Sequence, residues 1–300
     1  MSLSATVTPS GKALVGNPIK LSVSTDGQAT YAVAIGSDVV FTGSGRGSFF
    51  VFLNEVIMPH IVPQLCSNDD SRMLIPITGQ SVDVTVTVND DDGSSPVERS
   101  LTVFYGGISK QSQRLLGSTN IFTARFLAQT NFFFTSRGDS NRIAMKDTEL
   151  SPLPLLVPAG HSGNDSLTLT GTAGAFAALN IAKLLSDWYT NYGYYPDSID
   201  IYGNGGKACT LQFEPTMGTK DRYLVRFLDS LGCYSIIEFC GTARQGVDEV
   251  DDGTYECYDD ITDSYQQLRN RIETRGVVSM NTGYKTEEEL LYLQELLRSE

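Results

Sequence analysis

A chain of 300 residues with 22 Lys and Arg against 35 Asp and Glu carries a formal charge of −13, and 41% of its residues are hydrophobic and 19% charged. That balance is too apolar for a disordered chain and too acidic for gripping nucleic acid through phosphates, and the length favours two packed cores over one large all-β unit. No apolar run approaches the ~18 residues a membrane helix needs; the most apolar stretch, Phe49 to Met58, is broken by Asn54 and Glu55. Met1 to Lys12 shows neither a cationic start nor an apolar h-region, so no secretory signal is read there. The five cysteines, Cys66, Cys209, Cys233, Cys240 and Cys257, include no C-x-x-C pair, which predicts reduced thiols and synthesis in a reducing cytoplasm. Cys233 and Cys240 lie in apolar sequence and are expected to pack as small hydrophobes.

From Leu3 to Tyr105 the chain alternates in short segments. Strands are predicted at Leu3–Thr8, Ile19–Ser24, Ala29–Ile35, Val39–Thr42, Phe49–Leu53, Val82–Val88 and Leu101–Tyr105. Val82 to Val88 is the cleanest case, with valine at every second position and Asp83, Thr85 and Thr87 facing the other way. Turns are expected at Pro9 to Gly11, Asp26-Gly27, Gly36 to Asp38, Gly43 to Gly47 and Asp91 to Ser94. Seven short strands in this span predict an immunoglobulin-like β-sandwich over residues 1–105, without the Cys and Trp hallmark of antibody domains.

Gly106-Gly107 marks the expected domain boundary, and residues 106–300 read as an α+β domain ending in a helix. Strands are expected at Phe132 to Thr135 and Arg142 to Lys146, an extended edge segment around Pro152, Pro154 and Pro158, and a short strand at Leu167 to Thr170. A helix from about Ala175 to Asn191 follows from the 3.6-residue spacing of Ala177, Ile181, Leu184, Leu185, Trp188 and Tyr192, with Gly193 as its C-cap. Strands resume at Ser198–Tyr202, Ala208–Phe213, Tyr223–Leu228 and Tyr234–Phe239, and Tyr265 to Ser279 is read as strand rather than helix. Thr286-Glu-Glu-Glu289 is a capping box, and the helix it opens carries a stripe of Leu290, Leu293 and Leu297 with Leu296 beside it.

Each catalytic chemistry demands particular groups at particular spacings. There is no G-x-S-x-G elbow and no H-E-x-x-H, and two histidines, His60 and His161, are too few for a three-histidine zinc site. Gly203 to Lys207 has the wrong spacing for a phosphate loop and reads as a hairpin turn, as Gly43 to Gly47 reads as a turn rather than a dinucleotide fingerprint. Asp90 to Gly93 and Asp248 to Gly253 fail the calcium-loop alignment and are expected to be solvated acidic turns. No catalytic, cofactor-binding or metal-binding residue is therefore named. Charge asymmetry is more informative: Ile108 to Lys146 holds six basic residues and one acidic, whereas Asp248 to Asp263 holds eight acidic residues and no Lys or Arg. Lys110, Arg114, Arg125 and Arg142 are the candidates for meeting Asp248, Glu249, Asp251 and Asp252 of a neighbouring copy; the alternative is two separate solvated faces.

Three stretches carry a resemblance: Gly106-Gly-Ile-Ser-Lys110, the run from Asn120-Ile-Phe-Thr-Ala-Arg-Phe-Leu127 to Phe134-Thr-Ser-Arg137, and Ser279-Met-Asn-Thr-Gly-Tyr284 with the capping box. Over roughly residues 106–300 the chain resembles structural proteins encoded by phages and prophages of Bacteroidetes. The resemblance implies a non-enzymatic virion component of tail, hub, baseplate or connector-ring type. Such a subunit is made in the host cytoplasm and assembles as a symmetric oligomer with itself and other virion proteins, without cofactor, direct nucleic-acid contact or membrane insertion. The competing expectation is a surface or extracellular carbohydrate-binding protein, or adhesin, with Tyr189, Tyr192, Tyr194 and Tyr195 as a stacking platform. A hydrolase with converging carboxylates ranks third.

Overall fold

The computed structural model describes residues 3–93, 95–117, 119–126, 133–137, 142–157, 167–168, 174–203, 206–215, 221–251, 254–269, 272–283 and 287–298. It is β-rich, with several separate sheets. Its contacts divide the chain into two compact units: Met1–Thr216 with Arg226–Ile236 and Thr286–Glu300, and Met217–Val225 with Ile237–Lys285. The Gly106-Gly107 step lies inside the first unit.

The first unit begins with β1 (Ser4–Thr8), β2 (Gly11–Leu14), β3 (Lys20–Ile35) and β4 (Asp38–Phe52), then α1 (Asn54–Ile57) and a 3₁₀ turn at Met58–His60. β5 (Leu74–Pro76), β6 (Ser81–Asp90) and β7 (Val97–Phe104) follow. β3 is the hub of a six-stranded sheet, pairing antiparallel with β1, β4 and β6; β6 pairs with β7, and β7 pairs in parallel with β2. The strands expected separately at Ile19–Ser24 and Ala29–Ile35 are halves of β3, and those at Val39–Thr42 and Phe49–Leu53 are halves of β4. Asp26-Gly27, expected as a turn, lies instead in a bulge: Ser24 pairs with Ser48 and Gln28 with Arg46, so Thr25, Asp26 and Gly27 stand opposite Gly47 alone. Thr25 Oγ1 donates to Asp90 Oδ2 at 2.5 Å and accepts from Gly27 N at 3.2 Å, which fixes the bulge. Asp90 is thus buried rather than in a solvated turn, because the bulge folds over it. Alternation supplies the core: Leu21, Val23, Val33, Val84, Val86, Val88 and Val103 are buried, with Ile19, Leu53 and Ile57 closing one end.

The rest of the first unit adds α2 (Lys110–Leu116), a π-turn at Phe122–Phe126, β8 (Arg142–Lys146), β9 (Leu153–Leu156), β10 (Leu167–Thr168), β11 (Phe176–Leu179), α3 (Ile181–Tyr192), β12 (Ser198–Gly203) and β13 (Gly206–Glu214). Sheet β5-β11-β9 and sheet β10-β12-β13-β8 share a core with α3 that includes Phe133, Ile143, Leu155, Leu179, Leu184, Ile201 and Leu211. The helix expected from Ala175 starts later, because Phe176–Leu179 pairs with both β5 and β9. Asn180 then caps α3, its Oδ1 accepting from Lys183 N at 3.1 Å while Nδ2 donates to Asp70 O at 2.8 Å. The Gly203 to Gly206 pairing confirms the expected hairpin there.

A third cluster joins the two halves of this unit. Leu14 and Phe104 from the first sheet pack with Phe122, Phe134, Leu156, Leu231 and Cys233, and the Phe104 ring meets those of Phe122, Phe134 and Phe176 at 5.1–5.6 Å. Here Gly106 is needed at close quarters. Its φ of 109° suits glycine, and a Cβ there would strike the Leu231 carbonyl and come within 2.9 Å of Gly232 N. Gly107 N donates to Ser230 O at 2.7 Å and Gly16 N to Gly106 O at 2.8 Å, so backbones cross closely at the segment expected as the domain boundary.

β14 (Arg222–Leu228), β15 (Tyr234–Asp251), β16 (Thr254–Asp259), β17 (Ser264–Arg269), β18 (Ile272–Asn281) and α4 (Glu287–Arg298) complete the chain. In the second unit β15 pairs antiparallel with β18 from Cys240↔Asn281 to Asp251↔Ile272, and β16 pairs with β17 from Thr254↔Arg269 to Asp259↔Ser264. β15 also carries β14, giving the three-stranded sheet β14-β15-β18, and the two ladders follow each other along the chain as a ribbon, in keeping with the strand reading of Tyr265 to Ser279. α4 forms where the capping box places it, but its buried face differs: Tyr292 is buried while Leu290 and Leu297 are exposed.

Candidate interaction surfaces

The basic candidates lie in the first unit. Ser109 Oγ caps α2 by accepting from Ser112 N at 3.1 Å, and the helix presents Lys110 and Arg114 to solvent, neither in a salt bridge among the described residues. Arg142 opens β8 and stands 3.9 Å from Glu214 Oε1, so an intramolecular partner already shares its charge. The backbone of Arg125 belongs to the π-turn, and its side chain lies outside the described residues. The acidic candidates lie in the second unit. Asp248, Glu249 and Asp251 are on β15, where Asp248 is in register with Arg275 of β18, so the acidic run faces a basic position within its own ladder. Their side chains, and Asp252 altogether, lie outside the described residues.

The ribbon itself is the most unusual surface. From Gly241 to Gly283 no described side chain is buried. Val247 is 67% exposed, Val278 54% and Ile261 94%, and Tyr255, Tyr258 and Tyr265 are open as well. The tip is ordered by polar contacts: Asp259 accepts from Ile261 N at 3.0 Å, Thr262 Oγ1 at 2.9 Å and Gln266 Nε2 at 2.7 Å. Hydrogen bonds from the Ile261 N–H and the Thr262 hydroxyl hold the Asp259 carboxyl below its ordinary range.

A second exposed surface lies at the end of α3. Tyr189, Tyr192, Tyr194 and Tyr195, predicted as a platform, are brought together there: Tyr189 and Tyr195 stack at 4.8 Å, and Tyr192 lies 4.8 Å from Trp188 and 6.4 Å from Tyr194. Gly193 caps the helix with φ 77° and turns the chain so that the later rings fold back.

Sequence reading missed a buried polar cluster. Arg137 Nη2 donates to Glu149 Oε2 and to Ile236 O, each at 2.7 Å, and its guanidinium lies 4.8 Å over the Tyr292 ring of α4. Burial opposes the Arg137 charge, but Tyr292 and Glu149 outweigh it and hold the group above its ordinary value. Nearby in sequence to Ile236, Asp229 is buried and pushed up to about 7 by burial, against hydrogen bonds from Cys233 N and Ser136 N, with Glu295 adding to the rise. These groups tie α4 and the segments around Arg137 and Asp229 together.

A cleft of about 300 Å³ is lined by Gln64, Cys66, Asn68, Ser151, Arg226 and Tyr234 among others. Its thiol is a poor nucleophile, since burial first and Asp70 second raise the Cys66 pKa. Burial also pushes Cys209 up to about 12 and raises Cys233 well above its ordinary value, in keeping with a packing role for Cys233; Cys240 is half-buried. His161 lies outside the described residues. Among the described residues no group of three or more His, Cys, Asp or Glu is placed to hold a metal, and no helix is long and apolar enough to cross a membrane.

No protein-family model matches the chain, and no curated protein matches it. Seven chains of solved structures match. One is the crystal structure of an engineered protein at 16% identity and a TM-score of 0.21, with 34% of this chain aligned to 20% of that one, so this chain spans only a fifth of its length.

Proposed function

We propose that this protein is a non-enzymatic structural subunit of a virion, of tail, hub, baseplate or connector-ring type, that works by protein–protein contact in a symmetric oligomer. One observation carries the reading: the ribbon between Gly241 and Gly283 buries no described side chain yet exposes Val247, Val278 and Ile261. The β16-β17 ladder has only two strands and is marginal in water by itself, and β15 and β18, although in a three-stranded sheet with β14, bury no described side chain beyond Gly241, so a monomer gains nothing from aliphatic side chains held out there. A neighbouring subunit supplies the missing surface. Lys110 and Arg114 contribute charge to such contacts, with Arg125 and Arg142 beside them in the sequence, toward the acidic run of an adjacent copy.

The finer architecture belongs to the same reading. The split of the first strands, β1 onto β3 and β2 in parallel onto β7, together with the bulge in β3, supports an immunoglobulin-like sandwich for residues 1–105. The α+β assembly domain is then 106–300.

Light scattering after size exclusion tests this. The parent is expected to form a defined oligomer, and Val247→Asp with Val278→Asp to weaken it by about tenfold or more, as loss of a buried anchor does, with circular dichroism unchanged. Charge reversal at Arg114 is expected to act in the same direction at low salt. A parent that stays monomeric at every concentration, or that turns over a substrate, refutes the proposal.

A further inference from the structure

The tyrosine cluster at the end of α3 has a chemistry different from the ribbon's. Tyr192, Tyr194 and Tyr195 are each more than half exposed and Tyr189 nearly so. Beneath them Trp188 Nε1 is buried without a hydrogen-bond partner among the described residues, so the indole serves as an apolar floor under Tyr192 and Tyr194. Two features narrow what such a surface accepts. Its own segment is uncharged: the residues between Tyr189 and Tyr195 are Thr190, Asn191, Tyr192, Gly193 and Tyr194, the nearest helix cation, Lys183, is already paired with Asp187 at 2.5 Å, and the next charge along the chain is the exposed Asp197. The segment from Tyr189 to Tyr195 also holds no aliphatic residue, whereas the ribbon exposes Val and Ile. Rings with an apolar face and a hydroxyl at the edge complement a ligand that alternates C–H faces with hydroxyl groups. Asn191, exposed at the helix end, adds adaptable hydrogen bonding at small conformational cost, while the Thr190 hydroxyl is held to Ser186 O at 2.8 Å.

We propose that this cluster is a binding site for neutral saccharide, stacking pyranose rings on the outward faces of Tyr192 and of the Tyr189 and Tyr195 pair. The site is independent of the assembly reading: it uses one subunit and none of the ribbon. Association by stacking on an uncharged surface is insensitive to salt, which separates it from charge-driven contacts.

Trp188 is the one tryptophan in the chain and lies against the site, so its emission reports occupancy directly. The full chain is titrated with cellohexaose, maltohexaose, mannohexaose and xylohexaose, with polygalacturonate as the charged control, and binding is repeated by calorimetry because the variants alter the reporter's surroundings. Expected is saturable binding of at least one neutral probe, unchanged in high salt and weakened about tenfold or more in Tyr192→Ala and in Tyr195→Ala. No saturable binding of any neutral probe, preference for the charged polymer, or unchanged affinity in both variants overturns the inference. So does loss of the oligomer in Tyr192→Ala, which assigns the cluster to contact between copies.

Discussion

The Arg137 and Glu149 pair gives the sharpest energetic test of the first unit. Both side chains are nearly inaccessible, 9% and 3% exposed, and the 2.7 Å contact is supported by Ile236 O and the Tyr292 ring. Removing one partner of such a pair strands the other charge away from water, at a cost of about 3–5 kcal/mol, whereas replacing both by apolar residues of similar volume is close to neutral. Arg137→Met leaves Glu149 with its contact from Lys146 N at 3.3 Å but without its cation. Glu149→Leu leaves the guanidinium buried with only a carbonyl and a ring. Each single variant is therefore expected to lose about 3–5 kcal/mol. The double variant loses clearly less than their sum and less than either alone, although Ile236 O still lacks a donor, a residual cost of about 1–3 kcal/mol.

Urea unfolding followed through Trp188 emission, run as a double-mutant cycle at neutral pH, measures the coupling. Because the unit contains more than one core, coincidence of the emission and circular-dichroism transitions is the check that midpoints translate into free energies. Strictly additive losses, or an Arg137→Met variant within about 1 kcal/mol of the parent, far below the loss that breaking a buried pair brings, would refute the reasoning that these two charges depend on each other.

Two further outcomes follow from the same unit. The Asp229 carboxyl is at about 7 in the fold against an ordinary 3.8, so the native state binds the extra proton; stability is highest below the unfolded value and falls as pH rises from about 4 to about 7. Between those limits the parent is expected to lose up to about 4 kcal/mol, seen as a falling urea midpoint, whereas Asp229→Asn stays flat across the window and is the more stable protein at pH above 7. Gly106→Ala combines a φ of 109° with a clash at Leu231 and is expected to cost about 2–4 kcal/mol. Gly36→Ala has a φ of 59° in open space and should cost about 1 kcal/mol, so calorimetric midpoints that rank the two equally would remove the crossing-backbone explanation.

What was legible in the sequence was periodicity held by one face. Val82 to Val88 alternated and became β6, and the capping box at Thr286 announced α4. Where two elements competed for the same residues the pattern misled. Ala177 fits a helical stripe as well as a strand, and only pairing with Ile75 to Pro76 and Pro154 to Leu155 on either side decides for β11. Asn180 ahead of Ile181, Leu184 and Leu185 was the available signal for the later start. Bulges were illegible, since Asp26-Gly27 looks the same in a tight turn as in a bulge pinned by Thr25 and Asp90. The buried cluster left no local trace: Arg137 was one more cation in a basic stretch, and the Tyr292 ring under it is far along the chain. The tyrosine platform was legible because its members are nearly consecutive.

The two exposed surfaces also differ in what supports them, and that difference bears on how each can act. The tyrosine cluster stands on Trp188 and on α3, whose Ile181, Leu184 and Leu185 are buried in the core shared by two sheets, so its rings are held before any ligand arrives. Preorganisation of that kind lowers the entropy a small ligand must overcome. Among the described residues, the ribbon is ordered between Gly241 and Gly283 by ladder hydrogen bonds, the polar tip around Asp259 and the Tyr258–Tyr265 ring contact. A surface of that sort gains order from a large partner rather than offering order to a small one, since only extended burial of Val247, Val278 and Ile261 offsets the cost of fixing so many residues. Recognition of a small neutral ligand is therefore proposed for the platform held by α3, and subunit contact for the ribbon.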